Sequence, residues 1–322
     1  MKFDVVVGNP PYQLSTAGSA NGAQAKPVYQ MFVLQAKKLN PKHLVMIIPA
    51  RWYTGGWSLD MFRDNMISDN NLRELHDFPD SNDCFPGVQI KGGVCYFHWS
   101  RDESGACNVY TYSQGTCSKS VRFLKEKGID ALIRFNESVS ILHKVRSKEE
   151  HTIDEIVSSQ KPFGLGTSFR GDSRPSVGAV KLYQNGGVGY VDASIIPKGR
   201  ELLNSYKVYI SAAYGAGEDF PHQILNKPIL GEEGSCCTET YVMIGAFDFS
   251  NKAQNLLDYI KTKFFRFMVM ILKNSQHALK KVYRLVPLQD FSKSWTDAEL
   301  YAKYNLTQAE IAFIESMIKP ME

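Results

Sequence analysis

No Cys-x-x-Cys pair occurs in this 322-residue chain, and no two histidines stand at helical ligand spacing. The six cysteines, Cys84, Cys95, Cys107, Cys117, Cys236 and Cys237, therefore offer no zinc site, and reduced cytoplasmic thiols are the reading. Long hydrophobic runs are missing too. The most apolar stretch, Phe264 to Leu272, is interrupted by Arg266 and falls far short of a membrane span. The N-terminus runs into a charged strand and lacks the basic start and apolar core of a signal peptide. Repeats and low-complexity tracts do not stand out. Charge of one sign is scarce: 37 Lys and Arg against 33 Asp and Glu leave +4, too little for net charge alone to announce nucleic-acid binding. What remains is a globular composition, 43% hydrophobic, sufficient for two ordinary cores.

The most informative feature lies at the start. The apolar run Phe3-Asp4-Val5-Val6-Val7-Gly8 leads directly into Asn9-Pro10-Pro11-Tyr12. A β-branched run ending in glycine reads as a buried strand that delivers its next residues to the carboxyl edge of a sheet. Open α/β sheets bind ligands at that edge. Two successive prolines donate no backbone N–H and hold φ near −65°. Such a loop presents carbonyl oxygens, one amide side chain and an aromatic ring. It suits an exocyclic amine, with the Asn9 oxygen and the Pro10 carbonyl each accepting one N–H while Tyr12 stacks on the ring. A rigid strand-exit turn is the alternative.

These residues resemble the catalytic motif of N6-adenine DNA methyltransferases of restriction–modification systems. Three further segments follow in that family's order: residues 43–56 (HLVMIIPARWYTGG), 78–97 (FPDSNDCFPGVQIKGGVCYF) and 130–135 (DALIRF). Residues 158–169, 237–249 and 282–297 resemble the target-recognition region of large adenine methylases. The resemblance implies methyl transfer from S-adenosyl-L-methionine to adenine N6 in double-stranded DNA, with the base flipped out of the stack. It makes Asn9, Pro10, Pro11 and Tyr12 the catalytic motif and Phe135 a second aromatic against the base; a core role for Phe135 stays open. Phe85-Pro86 resembles the segment covering the pocket, again with packing as the alternative. Arg51 and Trp52 follow the second strand at the same edge, either touching DNA or capping the sheet. Methylases of this type place a glycine-rich cofactor loop ahead of the Asn-Pro-Pro-Tyr strand, and only eight residues precede Asn9. Phe163-Gly164-Leu165-Gly166 reads as an ordinary loop. The expectation is a C-terminal methylase portion that does not bind the cofactor alone. Its partner would be the missing half, or a second copy joined along the exposed sheet edge.

Alternation of apolar strands and helix-period segments over residues 1–150 implies the second half of a doubly wound sheet plus a connector. Residues 151–322 change texture, with glycine clusters and short β-prone stretches, and read as a mixed α/β target-recognition domain. Thr296…Glu299 and Thr307…Glu310 are capping boxes that open two C-terminal helices. Lys261, Lys263, Arg266, Lys273, Lys280, Lys281 and Arg284 form a basic stretch without a single acid. It reads either as DNA-phosphate contacts or as a solvated helix face. Two other function classes compete. One is a recognition module that keeps the motif without catalysis; the other is a methylase of protein glutamine or an RNA amine. The residues beyond 150 count against the latter, because reading a duplex takes a second large surface.

Overall fold

The computed structural model describes residues 3–14, 26–56, 58–215, 220–273 and 275–321. The chain divides into two compact units, 1–139 and 140–322. Both mix helices with sheets.

The first unit runs β1 (Val5–Gly8), α1 (Tyr29–Lys38), β2 (His43–Pro49), α2 (Asp60–Ser68), β3 (Leu72–Phe78), β4 (Val94–Ser100), β5 (Cys107–Ser113) and β6 (Thr116–Arg122). These strands form one six-stranded sheet in the order β1-β2-β4-β3-β5-β6. β1 pairs with β2 in parallel, as does β3 with β5, but β4 lies antiparallel between β2 and β3. The connection explains the reversal. Parallel neighbours need a crossover, usually a helix, and residues 79–93 contain only a 3-10 turn at Ser81–Asp83. β6 returns on β5 across a Gln114-Gly115 turn, so part of the expected connector is sheet. Its burial alternates with mostly polar residues, the pattern of an outer strand.

One face of the sheet holds the core. Leu44, Met46 and Ile48 of β2 pack with Leu75, Phe97 and Val109, under Tyr29 and Val33 of α1 and Phe62 and Met66 of α2. The intervening residues point the other way and build an aromatic ladder. His76 stacks between Tyr96 and Tyr110 at 4.2 and 4.3 Å, and Phe78 stacks on Tyr112 at 4.5 Å. β1 corrects an expectation. It is not a buried strand: among the described residues it pairs only with β2, and Val5 and Val7 are 53% and 72% exposed.

Helix α3 (Asn136–Arg146) spans the point where the units divide. The second unit continues with β7 (Val180–Gln184), β8 (Gly187–Val191), β9 (Tyr206–Ser211), β10 (Ile229–Gly231), β11 (Ser235–Cys237) and β12 (Tyr241–Phe247). Helices α4 (Ser250–Lys261), α5 (Lys263–Met270), α6 (Asp297–Lys303) and α7 (Gln308–Met317) follow. Two three-stranded sheets result, β10-β9-β12 and β11-β7-β8. Both anticipated capping boxes are complete. The Thr296 and Thr307 hydroxyls accept from the N3 amides, and Glu299 and Glu310 reach back to the cap amides. Among the described residues no helix is long and apolar enough to cross a membrane.

Candidate functional site

β1, β2, β3 and β5 run in the same direction, so their C-terminal ends share one edge with the start of β4. Asn9–Tyr12 leaves β1 there. Asn9 and Pro11 are exposed, Pro10 is buried and Tyr12 half-buried. The Tyr12 carbonyl accepts from Val28 N at 3.2 Å and Leu14 N donates to Lys26 O at 3.1 Å, so residues 26–28 brace the loop. Burial raises the Tyr12 phenol pKa, helped by the nearby Cys84 and Cys95. After β2 the chain enters a 3-10 turn, Ala50–Thr54. Trp52 is fully buried there and packs edge-on against Tyr53 and Phe62. It caps the sheet; Arg51 beside it is exposed.

The loop after β3 is tied by Ser81, whose hydroxyl donates to Val88 O at 2.7 Å and accepts from Ile90 N at 2.8 Å. Phe85 is half-buried within it. The loop closes at Gly93, where an added Cβ would meet Phe78 O at 2.2 Å. Only glycine lets β4 begin so close to the end of β3.

Phe135 is half-buried and immediately precedes α3. Its position depends on Arg134, a residue the sequence reading passed over although it stands in the quoted segment. Arg134 donates from Nε to Asp77 Oδ2 at 2.7 Å, from Nη2 to Asp77 Oδ1 at 2.9 Å, and to Gly92 O at 2.8 Å. Its guanidinium lies 5.3 Å from the centre of the Tyr53 ring. Burial opposes the Arg134 charge, and Asp77 more than offsets it. Cys95, its thiol pushed up to about 12 by burial, is an electrostatic neighbour of Tyr12 and of the Asp77–Arg134 pair. Among the buried polar atoms without a nitrogen or oxygen partner among the described residues are Tyr12 Oη, Tyr29 Oη, Trp52 Nε1 and Tyr53 Oη, the last two beside the Cys95 thiol. They belong to the loop, to the turn after β2 and to the first residue of α1.

The basic stretch is not one surface. Arg266 is fully buried and gives its guanidinium to the carbonyls of Thr262, Gln223, Lys319 and Lys261 at 2.8 to 3.3 Å. It is a structural cation, not a phosphate contact, because α5 is a core helix whose Phe264, Phe265, Phe267 and Met268 are all buried. Lys263, 16% exposed, pairs with Glu315, and Lys273 donates to Tyr214 O at 2.8 Å. Lys261 and Arg284 are half-buried, while Lys280 and Lys281 stand exposed on a 3-10 turn. Among the described residues no group of three or more His, Cys, Asp or Glu could hold a metal ion. Phe163-Gly164-Leu165-Gly166 is loop, with Phe163 buried.

An α/β unit with an Asn-Pro-Pro-Tyr loop at its sheet edge resembles the adenine-specific methylases of restriction–modification systems, and the comparisons bear that resemblance out. Residues 1–85 match the family model described as Eco57I restriction-modification methylase. A protein of Mycoplasma pneumoniae described as an uncharacterized adenine-specific methylase is 36% identical over 162 residues, 50% of this chain and 38% of that protein. The type II methyltransferase M.PstI of Providencia stuartii is 23% identical over 161 residues, 47% of this chain and 32% of its own length. The chain thus spans only about a third of the length of these curated relatives. Among solved structures, the type IIG restriction endonuclease BpuSI aligns over 94% of this chain and 49% of its own, at 11% identity and TM-score 0.39. The type IIL restriction-modification enzyme MmeI, solved in complex with DNA, aligns over 87% and 45%, at 8% identity and TM-score 0.41.

Proposed function

We propose that this chain is part of a site-specific DNA methyltransferase acting on adenine N6. In this reading the sheet of the first unit is the second half of a methyltransferase domain, and the second unit recognises the DNA target. The observation that carries it is the Asn9–Tyr12 loop at the carboxyl edge, braced by residues 26–28, with Asn9 exposed and Tyr12 half-buried beside it.

The chemistry follows from the residue types. The adenine amine is a poor nucleophile, its lone pair delocalised into the ring. Asn9 Oδ1 and the Pro10 carbonyl accept its two N–H groups and favour a pyramidal nitrogen. Tyr12 stacks on one face of the flipped base and Phe135 flanks the other. Positioning and fixed dipoles supply the help, and the proton leaves after attack.

S-adenosyl-L-methionine supplies the methyl group in such enzymes, but the described residues do not fit it by themselves. Among the described residues, the strand ends at that edge lead into Asn9, Ala50, Pro79 and Gln114, and none of these turns is the glycine-rich cofactor loop. The cofactor is therefore assigned to a methyltransferase half that completes the sheet along the open edge of β1. This chain alone is inactive in this reading.

The test is expression together with a glycine-rich, cofactor-binding methyltransferase half, followed by mass spectrometry of cellular DNA. N6-methyladenine is expected with the pair and not with either part. Asn9→Ala should abolish it. Methylation that persists in Asn9→Ala at the unmutated level would overturn the assignment.

A further inference from the structure

A second basic stretch of the second unit lies outside residues 261–284. Between Lys161 and Arg200 stand six Lys and Arg against two Asp and no Glu. Within it, residues 167–178 project from the β7–β8 sheet, and every residue from Asp172 to Gly178 is exposed.

The segment is anchored rather than loose. Asp172 and Tyr190 exchange backbone hydrogen bonds at 2.8 and 2.9 Å, adding a bridge to β8. Gly171 N donates to Gln184 Oε1 at 2.8 Å. A Cβ at Gly171 would meet Tyr190 O at 2.6 Å, so only glycine allows this seam. Arg170 is fixed by donating to Thr167 O and Phe169 O at 2.7 and 2.8 Å. At the far end Ala179 N bonds Ser176 O at 3.1 Å, one residue before β7 begins. Between these anchors Pro175 restricts the backbone further. What protrudes is Ser173, Arg174, Ser176 and a wholly solvent-exposed Val177.

A fully exposed valine beside a guanidinium and two hydroxyls gains nothing for folding. It is, however, the set of groups that reads the major-groove edges of DNA. Arg pairs with guanine O6 and N7, hydroxyls serve several bases, and an apolar group contacts the thymine methyl.

We propose that the loop 167–178 is the base-reading element of the second unit, with Arg174 reading a base edge and Arg170 holding the loop in shape. This rests on the DNA-recognition reading above. It assigns specificity to a loop outside the basic stretch, where Lys280 and Lys281 are left as phosphate contacts.

The experiment uses the full chain and a pool of duplex DNA with a randomised core. Bound duplexes are recovered and sequenced for the unmutated chain, Arg174→Gln and Val177→Ser. The unmutated chain should enrich a motif. Arg174→Gln should relax one position of it, with discrimination there falling about 5- to 150-fold, the effect of one bidentate base contact. Val177→Ser should relax a neighbouring A·T position. Circular dichroism shows whether each variant keeps its fold, and a folded Arg174→Gln that enriches the unmutated motif overturns the proposal while the DNA-recognition reading stands. That outcome would assign the loop to a protein partner. No enrichment by the unmutated chain at any salt concentration overturns that reading and the proposal with it.

Discussion

Arg134 closes both arms of its guanidinium on Asp77, a carboxylate 1% exposed at the end of β3. The pair locks the segment before Phe135 to the sheet edge that carries Asn9–Tyr12. It joins elements far apart in sequence, since Gly92 O accepts from the same guanidinium and Thr111 Oγ1 donates to Arg134 O at 3.1 Å.

Removing one partner strands a buried charge, a loss of about 3–5 kcal/mol. Arg134→Ala should therefore lower the unfolding free energy measured in urea by that amount. Arg134→Lys should recover only part, because an ammonium cannot form the two-armed contact. Near-equal stability of Arg134→Ala and the unmutated chain would show that the pair contributes nothing.

The caps of α6 and α7 give a pH dependence. Glu299 is held at about 2 by its bond to Lys293 and by the Thr296 amide and hydroxyl it accepts from. Glu310 is also depressed: burial pushes it up, and Lys144, the Thr307 amide and Ser140 outweigh that. A carboxylate depressed in the folded state contributes stability above its ordinary value of 4.5, lost as pH falls through the folded value. The melting temperature should drop between pH 4.5 and 2. Glu299→Gln keeps the reach to the cap without the charge, so its melting curve should converge on that of the unmutated chain at the acid end. A difference that stays constant with pH would refute the charge assignment.

What was legible in the sequence was local. Capping boxes depend on residues three apart, and Thr296 and Thr307 both formed them. β1 falls on its valines. Pairing direction was not legible, because β4 between β2 and β3 depends on a loop without a crossover helix. The Asn-Pro-Pro-Tyr motif could be found because two prolines and a glycine are unusual together. Asp77, Arg134 and Cys95, near the same sheet edge, meet only in three dimensions. The basic stretch was misjudged at Arg266 by counting charges along a segment whose Phe264, Phe265 and Phe267 already signalled burial.

That difference separates two kinds of cation. If Lys280 and Lys281 meet phosphates, Lys280→Gln with Lys281→Gln should flatten the log–log salt dependence of duplex binding by about 0.9 per contact, through counterion release. Arg266→Gln should leave that slope unchanged. It should instead destabilise the second unit, because several buried carbonyls lose a charged donor, each worth about 1.5–3 kcal/mol. Equal effects of both changes on the slope would contradict the burial of Arg266.

The last prediction concerns the open edge. Among the described residues β1 is paired on one side only, leaving N–H and C=O groups of the other side beside exposed Val5 and Val7. Asp4 is the one charge within the run, and it is engaged with Lys42 at 2.8 Å. An edge of this kind invites a further strand. The isolated chain should therefore self-associate with rising concentration, as read by light scattering, and amide exchange at Val5–Val7 should slow as it does. Val7→Lys places a charge on the edge and should shift the chain towards monomer without lowering its melting temperature, since Val7 is 72% exposed and buries little. Co-expression with a completing methyltransferase half should suppress self-association in the same way, because both compete for one row of hydrogen-bonding groups. A chain that stays monomeric at every concentration while Val5–Val7 exchange fast would show that the edge is tolerated unpaired, and the assignment of a partner to it would fall.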